Sequence, residues 1–298
     1  MAATEPIRRT IYILNGASVH ADEARALVAG VSHELGVAVD VVVARGEELG
    51  AVAAEAVRQG SERIVAGGGD GTVNAVAGAV AGTNAALGVL PMGTLNHFAR
   101  DVGIPQDLAA AVRNTFTGQV VKVDVGEVNG QVFVNNSGTG PYPYIVRQRE
   151  GQQRRGHAKW IAFGLAVWAA LRRYYRLRVK LNLDEAEAQA RLTPFLFVGN
   201  NRYEVNGLEI GRRTNLRSGR LWVCMPPAPT RRDLVRTALR SLTGRASDRD
   251  IYAFEAVEFW VKASAPRISV STDGEVAAME APLHYKIRPR ALGVIVPA

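Results

Sequence analysis

The feature that most narrows the folds open to this chain is an alternation of short apolar runs with helical spacings, which continues to about residue 120. Ile11–Leu14 is a short apolar run. Ala24, Leu27, Val28, Val31 and Leu35 then recur at helical steps within Ala21–Leu35, the signature of an amphipathic helix. Gly36 follows, where a left-handed residue ends a helix. Val37–Val43 predicts a second strand and Leu49–Val57 a second helix ending near Gly60. Arg63–Ala66 predicts a third strand, the stretch from about Thr72 to Val80 a third helix, and Ala86–Leu90 a fourth strand. Strands separated by helices pair in parallel, with helices on both faces of the sheet.

The pattern changes near Lys122. Lys122–Asn136 reads as two strands joined by Asn129-Gly130, a strong hairpin signal. Thr193–Val198, Arg220–Met225, Ala256–Val261, Ile268–Ser271 and Leu283–Ile287 are strand-like. Two helical patterns interrupt them, Trp160–Arg173 and Arg231–Leu242, the second with Thr230 as a candidate N-cap and Gly244 beyond its end. The expectation is an α/β domain over residues 1–124 and a β-rich domain over 125–298, with the last strand free to return to the first domain.

Charge divides the chain in the same way. Residues 1–140 hold 9 Lys/Arg and 14 Asp/Glu, whereas residues 141–298 hold 27 and 14. The second part is therefore suited to an anionic neighbour: a membrane surface, a phosphorylated ligand or nucleic acid. Arginine on solvated faces accounts for the same numbers. No nucleic-acid motif accompanies the charge, so no nucleic-acid partner is expected. Between Tyr142 and Lys180 ten Lys/Arg stand against one Glu, interleaved with Trp160, Phe163, Trp168, Tyr174 and Tyr175. That mixture suits an interface with anionic lipids; a core stripe packed on the β-domain is the other reading. Cys224 is the single cysteine, which excludes an intramolecular disulfide and a multi-cysteine metal site. No run approaches the ~20 apolar residues of a membrane span. A cytoplasmic protein with peripheral membrane contact is expected, and a homodimer is left open.

The chemistry concentrates in Ile64–Asn74, where a strand runs through Gly67-Gly68-Gly69-Asp70-Gly71 into a helix start. Glycines let a backbone approach a ligand closely, and the first N–H groups of a helix favour phosphate. No Gly-Lys-Ser/Thr follows, and the third glycine of a dinucleotide fingerprint is missing. A tight turn without ligand remains the other reading. Asp70 suggests an intervening cation such as Mg²⁺, bound through one or two carboxylates plus phosphate oxygens; a helix cap or Asx turn is the alternative.

Gly68-Gly69-Asp70-Gly71-Thr72-Val73-Asn74 resembles the GGDGTxN signature of the diacylglycerol kinase catalytic-domain family, the bacterial lipid kinases. NAD kinases and sphingosine kinases carry related motifs. Leu90–Pro105, reading LPMGTLNHFARDVGIP, resembles the P-x-G-T-x-N-D-F-A-R stretch of the lipid kinases, and similarity continues through Val123–Gly126, Asn135–Gly140 and Asp273-Gly274-Glu275. The resemblance implies a Rossmann-like three-layer α/β nucleotide-binding domain, then a β-sandwich-like domain, with the active site in the cleft. It implies ATP held around Asn15, Gly68, Gly69, Asp70, Gly71, Thr72, Asn74, Gly93, Thr94 and Asn96, and Mg²⁺ at Asp70 and Glu275. It also implies a lipid substrate, diacylglycerol-like or sphingoid-like, whose hydroxyl proton passes to Asp273. By sequence alone Asp273-Gly274 is a hairpin turn.

Three departures qualify the match. His97 stands where the family commonly has Asp. The first loop, Asn15-Gly16-Ala17-Ser18-Val19, keeps Asn and Ser but lacks the family's Pro and last Gly. Arg217-Ser218-Gly219 occupies the place of an acidic turn that holds a structural Mg²⁺ in many relatives, so that second metal is expected to be absent. A soluble kinase of the NAD-kinase type and a nucleotide-binding regulator with weak catalysis are the alternatives.

Overall fold

The structure, a computed structural model, describes residues 9–139, 177–180, 191–193, 195–206, 209–225 and 252–298. The expected helices Trp160–Arg173 and Arg231–Leu242 and the basic aromatic stretch before residue 177 lie outside the described residues.

The first compact unit comprises the described residues up to Val125 together with Pro289–Ala298. Its elements are β1 (Thr10–Asn15), α1 (Ala21–Leu35), β2 (Val39–Ala44), α2 (Glu48–Arg58), β3 (Arg63–Gly68), α3 (Asp70–Val80), β4 (Ala86–Pro91), α4 (His97–Asp101) and α5 (Leu108–Thr117). β5 (Gln119–Val128) starts here and runs on into the second unit. α1 forms because Ala24, Val28 and Val31 fall on one buried stripe, and Gly36 ends it at φ 64° in the left-handed conformation. α5 was not among the sequence expectations; Asp107 caps it, its Oδ2 accepting from Ala110 N at 2.8 Å.

The second unit is Gly126–Arg288. It adds β6 (Gln131–Phe133), β7 (Asn136–Thr139), β8 (Leu177–Lys180), β9 (Arg191–Thr193), β10 (Leu196–Asn200), β11 (Val205–Asn206), β12 (Glu209–Ile210), β13 (Leu221–Met225), β14 (Tyr252–Ala256), β15 (Glu258–Ala263), β16 (Arg267–Thr272) and β17 (Glu275–Glu280). The final strand, β18 (Leu283–Val296), belongs to the second unit as far as Arg288 and to the first from Pro289.

In the first unit the strands run β2-β1-β3-β4-β18, all parallel. In the second, an antiparallel sheet of order β14-β13-β10-β7-β16-β17 shares one core with the strands around β15. Phe133, Leu196, Leu221, Val223, Phe259 and Tyr285 meet in that core, all fully buried. The rings of Phe259 and Tyr285 stack at 4.9 Å, and the Tyr285 hydroxyl lies 3.1 Å from Ser137 Oγ. Apolar faces of two sheets closing on each other make this unit sandwich-like.

Three strand expectations are corrected. The run Thr193–Val198 is divided between β9 and β10, with Pro194, which has no N–H to continue a ladder, between them in the sequence. The run Ala256–Val261 also crosses between sheets, because Val257, 52% exposed, separates β14 from β15 and its carbonyl accepts from Ile287 N at 2.9 Å. Leu283–Ile287 is only the start of β18. The strand continues past Pro289 because Arg290, at φ 50°, donates its N–H to Asp124 Oδ1 at 2.8 Å.

Candidate active site

In the first unit β1 has β2 on one side and β3 on the other. The connections leaving β1 and β3 therefore diverge, and in open α/β sheets that switch point is where a crevice forms beyond the strand ends. Asn15 ends β1, Gly68 ends β3 and Pro91 ends β4, with Leu14 in register with Gly67 and Gly68 with Pro91.

The glycines there have specific steric reasons. A Cβ on Gly68 would run into the Thr72 side chain. One on Gly67 would meet Leu14 and, at 3.0 Å, Met92 Sδ. A Cβ on Gly93 would stand 2.5 Å from Gly69 Cα and 2.8 Å from Asn96 Oδ1. The two glycine loops thus pass backbone against backbone, leaving main-chain groups where side chains would otherwise project. Gly69 brings no side chain to cap α3, so the helix presents the positive end of its dipole at this edge.

Side chains lock the loops together. Asn15 Nδ2 donates to Thr72 Oγ1 at 3.0 Å, while its Oδ1 accepts from Ala17 N at 2.9 Å. Ser18 Oγ donates to the Met92 carbonyl at 3.3 Å. Asn96, at φ 50°, folds back on Gly93: Oδ1 accepts from Gly93 N and Nδ2 donates to Gly93 O, both at 2.9 Å. Its side chain closes its own loop and makes no bond to α4. The cap on α4 comes from Asp70, whose Oδ2 accepts from His97 N and Oδ1 from Phe98 N, both at 3.2 Å. Thr72 and Asn74 are buried, whereas Thr94 and His97 are exposed.

The other expected site residues lie in the second unit, at the β16–β17 hairpin. Asp273 and Gly274 adopt φ 48° and 90°, the pair of positive values that a two-residue type I′ turn requires. The Asp273 carboxylate is turned inward and clasped. Oδ2 accepts from Val134 N at 2.7 Å, and Oδ1 from Asn135 N and Asn136 N, both at 2.8 Å. Burial pushes this carboxyl up to about 6, although the three N–H donors and Arg213 pull the other way. Glu275, two residues on, is exposed.

Sequence reasoning missed what holds the clasp. Arg213, 2% exposed, donates to Val134 O, Asn200 O and Asn135 Oδ1 at 2.6, 3.0 and 2.7 Å. Tyr203 Oη donates to Asn135 O at 3.0 Å. These partners are far apart in sequence, and one arginine among many gives no local signal. At the Arg217-Ser218-Gly219 turn, Asn215 Oδ1 accepts from Arg217 N, and Asn201 Nδ2 donates to Ser218 Oγ, both at 2.8 Å.

Fold and cradle define an open α/β domain of nucleotide-binding type joined to a β-sandwich-like domain. Comparison with known proteins narrows this. Residues 9–128 match the diacylglycerol kinase catalytic domain, and residues 145–296 match the YegS C-terminal NAD kinase beta sandwich-like domain. A "Probable lipid kinase YegS-like" of Pseudomonas aeruginosa (strain PAO1) is 30% identical over 298 residues, covering 97% of this chain and 95% of that one. A protein of the same description from Klebsiella pneumoniae (strain 342) is 38% identical over 136 residues, 45% of this chain and 46% of its own length. The solved structure of a diacylglycerol kinase from Bacillus anthracis str. Sterne superimposes with a TM-score of 0.69 at 16% identity, covering 98% of each chain; at that identity the likeness concerns the fold. The chain belongs to the YegS-like lipid kinases of the diacylglycerol kinase catalytic-domain family.

Proposed function

We propose that the protein is an ATP- and Mg²⁺-dependent lipid kinase that transfers the γ-phosphoryl group to a lipid hydroxyl, diacylglycerol-like or sphingoid-like. The observation that carries the reading is the backbone contact of Gly69 with Gly93 at the switch-point edge. It brings the two glycine loops together, main chain against main chain, beside the start of α3, which has no side-chain cap. Such a surface suits a chain of phosphates, which binds backbone N–H groups and helix dipoles.

The residues also fit a divalent cation. Mg²⁺ retains several waters and needs one or two carboxylates plus substrate phosphate, and Asp70 supplies a carboxylate fixed by two main-chain N–H groups at the cradle. Asp70 would hold the ion, which would supply positive charge against the phosphates; for Glu275 the family resemblance alone supports a part in holding it. Asn15, Thr72 and Asn96 shape the cradle, Gly68 ends β3 and Gly71 and Asn74 lie in the first turns of α3 beside it, and Thr94 offers a hydroxyl and an N–H to phosphate. The lipid hydroxyl oxygen attacks the γ-phosphorus, the bond to ADP breaks, and Asp273 accepts the hydroxyl proton. A carboxyl held near 6 suits that task, being ionised at neutral pH yet a better acceptor than an ordinary Asp.

Among the described residues no helix is long and apolar enough to cross a membrane. The ten Lys/Arg between Tyr142 and Lys180 support peripheral contact with an anionic membrane surface from the cytoplasm. The test is incubation with labelled ATP, Mg²⁺ and a panel of hydroxyl-bearing lipids in micelles, with Asp273→Ala alongside. Label should enter one lipid class and vanish in the variant. ATP binding with no lipid labelled overturns the reading in favour of a soluble acceptor, NAD first, or a regulator.

A further inference from the structure

A buried arginine needs partners, because desolvating a guanidinium is costly unless its donors are used. Arg213 meets that need at the bend between β6 and β7 that holds Asp273. Its Nη1 donates to the Val134 carbonyl at 2.6 Å and to the Asn200 carbonyl at 3.0 Å. Nη2 donates to Asn135 Oδ1 at 2.7 Å. Its Cζ lies 5.2 Å from the centroid of the Tyr203 ring.

The Val134 carbonyl and the Asn135 N–H are two ends of one peptide group. At one end that group accepts from Arg213 and, at 2.9 Å, from Asn200 Nδ2. At the other it donates to Asp273 Oδ1. The next peptide repeats the pattern. The Asn135 carbonyl accepts from Tyr203 Oη and from Asn200 N, and the Asn136 N–H donates to Asp273 Oδ1. Each peptide is thus held from behind while its N–H grips the carboxylate, and donors on the carbonyl strengthen the N–H opposite. The fixed planar fork of arginine is what lets one side chain reach three acceptors here.

We propose that Arg213 is a positioning residue for Asp273, acting through the two peptide groups between Val134 and Asn136, with Tyr203 as its assistant. The inference rests on the reading of Asp273 as proton acceptor. Arg213 touches no reacting atom in this account; it fixes where the carboxylate oxygens sit.

The experiment compares Arg213→Ala, Tyr203→Phe and Asp273→Asn in the full chain with the lipid substrate found in the panel. Arg213→Ala should lower kcat about 10- to 100-fold, the worth of a charged hydrogen bond, and leave the KM for ATP within about threefold of its original value. Guanidinium chloride at millimolar concentration should restore part of the lost kcat, and ammonium chloride at equal ionic strength should not. Where Arg213→Ala fails to fold, Tyr203→Phe serves, since it keeps the ring beneath the guanidinium and removes one donor. Its kcat should fall about 3- to 10-fold with melting close to the unmodified protein. Unchanged kcat in a folded Arg213→Ala or in Tyr203→Phe, a loss confined to the KM for ATP, or equal rescue by ammonium overturns the proposal. Full activity in Asp273→Asn instead overturns the reading beneath it. An inactive Asp273→Asn beside a fully active Arg213→Ala overturns the positioning role alone.

Discussion

Asp273 answers two demands at once. The hairpin needs a residue that tolerates φ 48°, which Asp does better than most. The clasp needs a carboxylate able to accept from three N–H groups. Only the first demand is local, so the sequence alone reads as a turn, and the inward clasp becomes visible once Val134–Asn136 is folded against it. The carboxyl held near 6 gives a pH prediction. Below about pH 6 the group keeps its own proton and cannot take that of the hydroxyl. kcat/KM should therefore fall about tenfold per pH unit on the acid side and level off above it. A pH–rate profile with saturating Mg²⁺ checks this; a limb near the ordinary Asp range, about 4, would refute the assignment.

The loops and strands were legible where pattern and structure share one cause. α1 falls on its expected bounds because apolar spacing alone decides its buried stripe. The glycine loops were legible as turns, but the reason for each glycine was not. Gly93 exists for Gly69, 24 positions earlier in the chain, and only the pairing of β3 with β4 brings them together. Gly93→Ala should push the loops apart and weaken ATP binding by ~10-fold or more, on the scale of a few kcal/mol for overpacking. Gly78→Ala in α3 is the matched control. A Cβ there meets nothing within 4 Å, so the change should stabilise by ~0.5–1 kcal/mol and leave binding intact. Calorimetric ATP titration and urea denaturation of both variants test the pair. Where the expectation failed, in Thr193–Val198 and Ala256–Val261, a single strand-like run concealed a change of sheet. Alternation along a strand says which residues are buried, not against which partner layer.

At the scale of the molecule, the first unit is discontinuous in sequence. β18 pairs with β4 through Gly293 and Val294, and Leu292, Val294 and Ile295 are fully buried. The last strand was expected to be free to return to the first domain, but its apolar pattern was read only over Leu283–Ile287, short of the residues that pair with β4. Asp124, 1% exposed, makes the continuation workable by accepting the Arg290 N–H. Ile295→Ala should cost ~2–5 kcal/mol, a large part of a domain's stability. Denaturation followed by nucleotide binding should show the loss in the first unit. The placement of β18 also orders events on the ribosome. Glycine loops, Asp70 and four parallel strands all emerge before residue 102, yet the fifth strand of their sheet emerges only after the whole second unit has been made. A nascent chain stalled anywhere within the second unit therefore carries every residue of the cradle on an unfinished sheet. Only the arrival of β18 beside β4 completes the sheet at whose edge the glycine loops stand.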